Sequence, residues 1–134
     1  MSFSDDLEKF KQKALDNHVK VKRAASFDLF SAIILGTPVD KGVLRNNWFV
    51  QMGPLGSNEI TYRRAPVGTA TINRVKMRLE HTTADDDITF VNNLPYAIPI
   101  EFDGYSGKAP EGMVRVNTAR WDYIVGLNAR KFNK

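Results

Sequence analysis

Apolar residues recur along the first quarter of the chain at Leu7, Phe10, Ala14, Val21, Ala25, Leu29 and Ala32. Steps of three and four put them on one helix face, and only the turn at Asn17 and His18 is missing. Phe27, Phe30, Ile33 and Ile34 widen the stripe near its end. Ser4 reads as the N-cap, followed by Asp5, Asp6 and Glu8, where the helix dipole favours negative charge. Gly36 and Thr37-Pro38 stop the helix, because the residue before a proline avoids the helical region. This predicted helix holds about 30 residues and is about 45 Å long. A compact domain of 134 residues corresponds to a sphere about 36 Å across. The helix therefore bends, or its basic N-terminal half projects and needs a partner to cover Leu7, Phe10 and Ala14.

Beyond Gly36 the pattern shortens. Asp40 reads as the N-cap of a short helix over residues 41–47. Trp48, Val50 and Met52 alternate with Phe49 and Gln51, as a strand does. "GPLGSN" is turn material, and residues 60–62 suit a short strand. In the stretch from Arg63 to Asp87, Ile72, Val75, Met77 and Leu79 fit a short helix or a pair of strands equally well. Ile88 to Val91 alternates as a strand. A helix starting near Tyr96 tolerates Pro99 in its first turn, and Gly104, Gly107 and Pro110 make a loop. Met113, Val116, Tyr123 and Leu127, with Trp121 and Ile124 beside them, predict a second helix of about four turns. The expected fold is a single α+β domain over residues 1–134, with a long N-terminal helix (1–36), a small, mainly antiparallel sheet and a C-terminal helix.

Composition narrows the chemistry. The absence of cysteine excludes a disulfide scaffold, thiolate metal sites and cysteine nucleophiles. "MSFSDDLEKFKQK" has no apolar core, so no standard signal peptide is expected. "LFSAIILG" falls far short of the roughly 20 apolar residues that span a bilayer. The net charge is +4 with pI near 9.4, and it is segregated: no Lys or Arg occurs between Leu79 and Gly107, where the acids concentrate. Such a chain can present basic and acidic faces to different neighbours, although a solvated surface explains the pattern as well.

No residue set asks to be a catalyst. His18 and His81 stand alone. Asp85, Asp86 and Asp87 suit a solvated turn better than a Mg²⁺ cluster or a metal-dependent hydrolase, since successive strand residues face opposite ways. Nucleotide-binding glycine motifs and nucleophile elbows are missing. Arg63, Arg64, Arg74, Lys76 and Arg78 beside Tyr62 offer a basic strip for DNA or a partner, which makes a small nucleic-acid-binding module the alternative reading.

What remains are two segments rich in shape-setting residues, "TPVDKGVLRNNW" (37–48) and "NNLPYAIPIEFDGYSGKAPEGM" (92–113). In this order and at this spacing they resemble the HK97 gp10-like neck or tail-completion family of tailed phages, related to the minor tail protein Z of phage lambda. Lys41 stands where that family often has threonine, and Asn47 where serine is common. The resemblance covers most of the chain outside residues 53–86. It implies a noncatalytic virion protein of the head-tail junction, made in the host cytoplasm, without metal, cofactor or membrane. It further implies a sixfold or twelvefold homo-oligomeric ring between portal-adaptor and tail-tube or tail-terminator proteins, around DNA that passes without sequence specificity. The motif residues marked as interface candidates are Pro38, Asp40, Gly42, Leu44, Arg45, Trp48, Tyr96, Glu101, Gly104, Gly112 and Met113. Read physically, Leu44, Trp48 and Tyr96 are first of all packing residues. Arg45 is expected to pair with Glu101 or with a neighbouring subunit.

Overall fold

The computed structural model describes residues 2–53, 59–104 and 106–133. The turn expected at "GPLGSN" lies, apart from Gly53, outside them. An α+β architecture is observed: a long N-terminal helix, a two-stranded antiparallel sheet, and a C-terminal helix packed on the first.

Helix α1 runs Phe3–Gly36, 34 residues, about 51 Å at 1.5 Å per residue. Its cap is Ser2, not Ser4. Ser2 Oγ accepts from the Asp5 amide at 3.2 Å, and the Asp5 carboxylate accepts from the Ser2 amide at 3.4 Å. This reciprocal pair satisfies two amides that a cap two residues later leaves orphaned. At the far end, the Thr37 amide donates to Ile34 O and its hydroxyl to Ile33 O at 2.7 Å.

The second half of α1 carries the core. Ala25, Leu29, Phe30, Ile33 and Ile34 are buried with Leu44, Trp48, Val50, Val75, Leu79, Leu94, Ile100, Met113 and Ile124. The first half does not join it: residues 2–16 are all exposed.

Strand β1 (Trp48–Met52) pairs antiparallel with β2 (Ile88–Asn92) in the register Trp48 to Asn92, Val50 to Phe90 and Met52 to Ile88. This puts the apolar alternates of both strands on one face. Phe90 is sandwiched there between Phe30 and Trp48, with ring centroids 4.1 and 4.7 Å away. Between the strands lies α2 (Thr69–Leu79), which resolves the ambiguous stretch as a helix with Thr71, Val75 and Leu79 inward.

Three further expectations are corrected. Asp40 caps nothing: the segment after Pro38 is bends and turns, ending in a single 3₁₀ turn at Arg45–Asn47 whose N-cap is Leu44. Residues 60–62 form no strand; the Thr61 backbone bonds to a side chain instead, as described below. The C-terminal helix is broken at Ala119 and Arg120 into α4 (Arg115–Thr118) and α5 (Trp121–Phe132). α5 turns Ile124 and Asn128 inward, while Tyr123 and Leu127 are exposed. Asn128 earns its buried place by donating to Asp28 on α1 and to Ile124 O, both at 2.9 Å.

Candidate interaction site: the corner where the two motif segments meet

Helix α3 (Ala97–Phe102), with Pro99 in its first turn, carries the second motif segment against the first. Asn92 donates to Leu44 O at 2.9 Å and Lys108 to Val39 O at 2.8 Å. Between the segments lies a cleft of about 760 Å³, bordered by Pro38, Asp40, Leu44, Tyr96, Ile100 and Lys108.

The first segment is held by polar bonds that start from buried side chains. Trp48 is buried, and its indole N–H donates to Thr37 Oγ1 at 2.9 Å. Thr37 thus joins the end of α1 to β1. Gly42 has φ 84°, and a Cβ there would lie 2.4 Å from the Pro66 nitrogen. Positive φ and close backbone approach both require glycine. Asn47, fully buried, donates to Val43 O (2.6 Å) and Thr61 O (2.8 Å) and accepts from the Thr61 amide at 2.9 Å. Its carboxamide thus substitutes for the strand partner that Thr61 lacks. A serine hydroxyl is too short to bridge both groups, so this bridge needs the carboxamide.

Arg45 does not meet Glu101. Its guanidinium donates to Leu35 O and Thr37 O at 2.9 Å and to Pro66 O at 2.6 Å. It therefore caps the carbonyl end of α1, where the dipole favours a cation. The choice follows from local supply: carbonyls orphaned at a helix end lie within reach, and the expected carboxylate is already occupied.

Glu101 is 5% exposed. Its Oε2 accepts from the Met113 and Val114 amides at 2.7 and 2.8 Å, and Oε1 from the Arg115 amide at 2.8 Å. Arg115 Nε adds a contact at 3.3 Å, and its Nη2 donates to Glu101 O. Burial pushes this carboxyl up, but the amide and guanidinium bonds outweigh it and hold it below the usual glutamate range. Gly112 makes the approach possible: at φ 87°, a Cβ would sit 2.6 Å from Glu101 O and Oε2. Gly104, with φ 58°, turns the chain after α3, and Met113 is buried in the core.

The remaining candidates divide. Pro38 is half-buried, Asp40 exposed, and Tyr96 44% exposed at the cleft rim. Burial chiefly, with Asp40 and Tyr62 nearby, pushes the Tyr96 hydroxyl up. Arg63, Arg64, Lys76 and Arg78 are exposed, but Arg74 leaves the basic strip. It donates to Asn46 O and Trp48 O at 2.8 and 2.7 Å and lies over the Phe49 ring at 4.1 Å. Asn46 in turn accepts from Thr71 at 2.6 Å.

Asp85 sits in a turn from Thr83 to Asp86, closed by the Asp86 amide donating to Thr83 O and by the Asp86 carboxylate accepting from the Thr83 amide, and Asp87 leads into β2. Lys22 and Arg23 tie the carbonyls of Ala84, Asp86 and Thr82 to α1. Among the described residues no group of three or more His, Asp or Glu side chains is placed to hold a metal ion.

Sequence reading missed Thr37, Asn46, Asn47, Thr71 and Arg115. One signal was present: a tryptophan bound for a core needs an acceptor for its N–H. Compared with protein-family models, curated proteins and solved structures, the chain matches none.

Proposed function

We propose that this chain is a noncatalytic structural subunit of a phage head-tail connection, a neck or tail-completion ring that joins the tail to the DNA-filled head. The observation that carries the reading is the contrast within α1. Its second half is sealed into the core, while its first half is a formed amphipathic helix with Phe3 78%, Leu7 52% and Phe10 73% exposed. A helix presented this way works by docking on something, not by chemistry. The motif corner supports the same reading, because its polar side chains are spent on internal bonds that fix shape. Heterologous contacts between copies would close the ring, with portal-adaptor and tail proteins on either side. The test is mass spectrometry of purified particles, with electron microscopy of particles made without the chain. The chain is expected in virions, and its loss is expected to leave filled heads and unattached tails. Virions that lack it overturn the reading.

A second reading, a small nucleic-acid-binding module, is favoured by one observation: Tyr62 is exposed beside exposed Arg63 and Arg64. It expects binding to DNA that falls steeply with salt. No mobility shift at low salt removes it.

A further inference from the structure

The exposed half of α1 specifies its own complement. Phe3, Leu7, Phe10 and Ala14 follow one another at steps of four, three and four, a strict heptad seam with Leu7 and Ala14 at one core position and Phe3 and Phe10 at the other. Two copies laid antiparallel, with Leu7 opposite Phe10 of the second copy, also bring Phe3 opposite Ala14. The Phe3 ring then meets Ala14, the smallest residue of the seam, in each outer layer, and the two central layers match Leu7 to Phe10. The same register sets Asp6 beside Lys13 of the second copy, twice by symmetry, and Ser4 beside Lys11. No like charges face each other along the seam.

A parallel pairing loses these matches. It stacks Phe3 on Phe3 and Phe10 on Phe10, sets the acidic first turns (Asp5, Asp6) together, and aligns two helix dipoles head to head. The antiparallel arrangement opposes the acidic turn of one helix to the lysines of the other. It also sends the two globular parts, whose buried residues begin at Ala25, to opposite ends.

We propose that the chain, when free, closes on a second copy through an antiparallel α1–α1 seam over residues 3–14. The contact is isologous and twofold. It does not rest on the phage reading: it is a property of the isolated chain, and within an assembly a neighbour would have to displace it.

The absence of cysteine makes the test clean. Light scattering on the full chain over a concentration series is expected to rise from 15.1 kDa toward twice that mass. Leu7→Glu with Phe10→Glu is expected to stay monomeric with an unchanged circular dichroism spectrum above the first turns, because neither residue packs in its own chain. Under mild oxidation, F3C mixed with A14C is expected to give a covalent dimer. F3C alone is expected to give none, since the two residues 3 would lie about 16 Å apart along the seam. Asp6→Lys is expected to weaken the dimer, and Asp6→Lys with Lys13→Asp to restore it. A monomer at all concentrations overturns the proposal and leaves the stripe to a different protein. A dimer that survives L7E/F10E overturns it by lying on another face, such as the exposed side of α5. Rapid F3C homodimer crosslinking overturns the antiparallel register.

Discussion

Replacing Glu101 with glutamine keeps the size and removes the charge. In the native corner, three backbone amides and one guanidinium nitrogen converge on two carboxylate oxygens within 3.3 Å. A carboxamide supplies one acceptor and turns two donors toward groups that are themselves donors. Each hydrogen bond to a charged acceptor contributes about 1.5–3 kcal/mol, and a buried donor left unpaired costs a similar amount. Arg115 is exposed enough for water to replace part of its share, so the expected loss is about 3–5 kcal/mol. That is at least about a fifth of the 5–15 kcal/mol that holds an ordinary domain folded. Urea unfolding followed by circular dichroism measures it. The pH dependence separates charge from shape. The folded carboxyl titrates below its ordinary range, so its contribution is complete above that range and is lost as the pH falls through the folded value. The gap between wild type and E101Q is therefore widest near neutrality and narrows in acid. A gap below about 1 kcal/mol at neutral pH, or one that stays constant into acid, would refute the assignment of Glu101 as a charged amide clamp.

Trp48→Ala is expected to lower stability by about 3–5 kcal/mol and Trp48→Phe by less, the smaller loss containing that of the Thr37 bond; an unchanged Tm for W48A would contradict the burial of the ring. Gly42→Ala is expected to cost more than the usual glycine-to-alanine change at positive φ, about 2–4 kcal/mol, because the clash is with backbone at 2.4 Å. Arg45→Lys is expected to destabilise almost as much as Arg45→Met, about 1–2 kcal/mol, since a single ammonium cannot reach three carbonyls; full rescue by lysine would argue against the capping role.

The elements most legible in the sequence were those whose inward faces are mostly apolar. The long stripe of α1 and the alternation at Trp48 and Ile88 gave helix and strands their type and approximate bounds. What escaped reading is polar residues doing core work. α2 was ambiguous because one of its three inward positions is Thr71, and α5 was read on the wrong face because Asn128 occupies the core side. The Arg45–Glu101 pairing was a reasonable guess from charge alone. Side-chain charges are written in the sequence, whereas the orphan carbonyls of α1 and the converging amides at Met113 to Arg115 exist only after folding. Gly42 and Gly112 were flagged as special positions, but what each must avoid, Pro66 in one case and Glu101 in the other, depends on segments distant in sequence.

Because α1 is continuous across the edge of the globule, it is one hydrogen-bonded rod with two stabilities. An isolated helix of about a dozen residues is marginal in water, since its first turn must be nucleated at a loss. Here the packed half supplies the nucleus, and the exposed half propagates from it turn by turn. Backbone amides near Ile33 should exchange with solvent only through global opening, and those near Leu7 through fraying. The exposed half is thus held near its melting point. A surface that binds it gains apolar contact and also firms a helix that was ready to form, so association and local ordering become a single event with a tunable threshold.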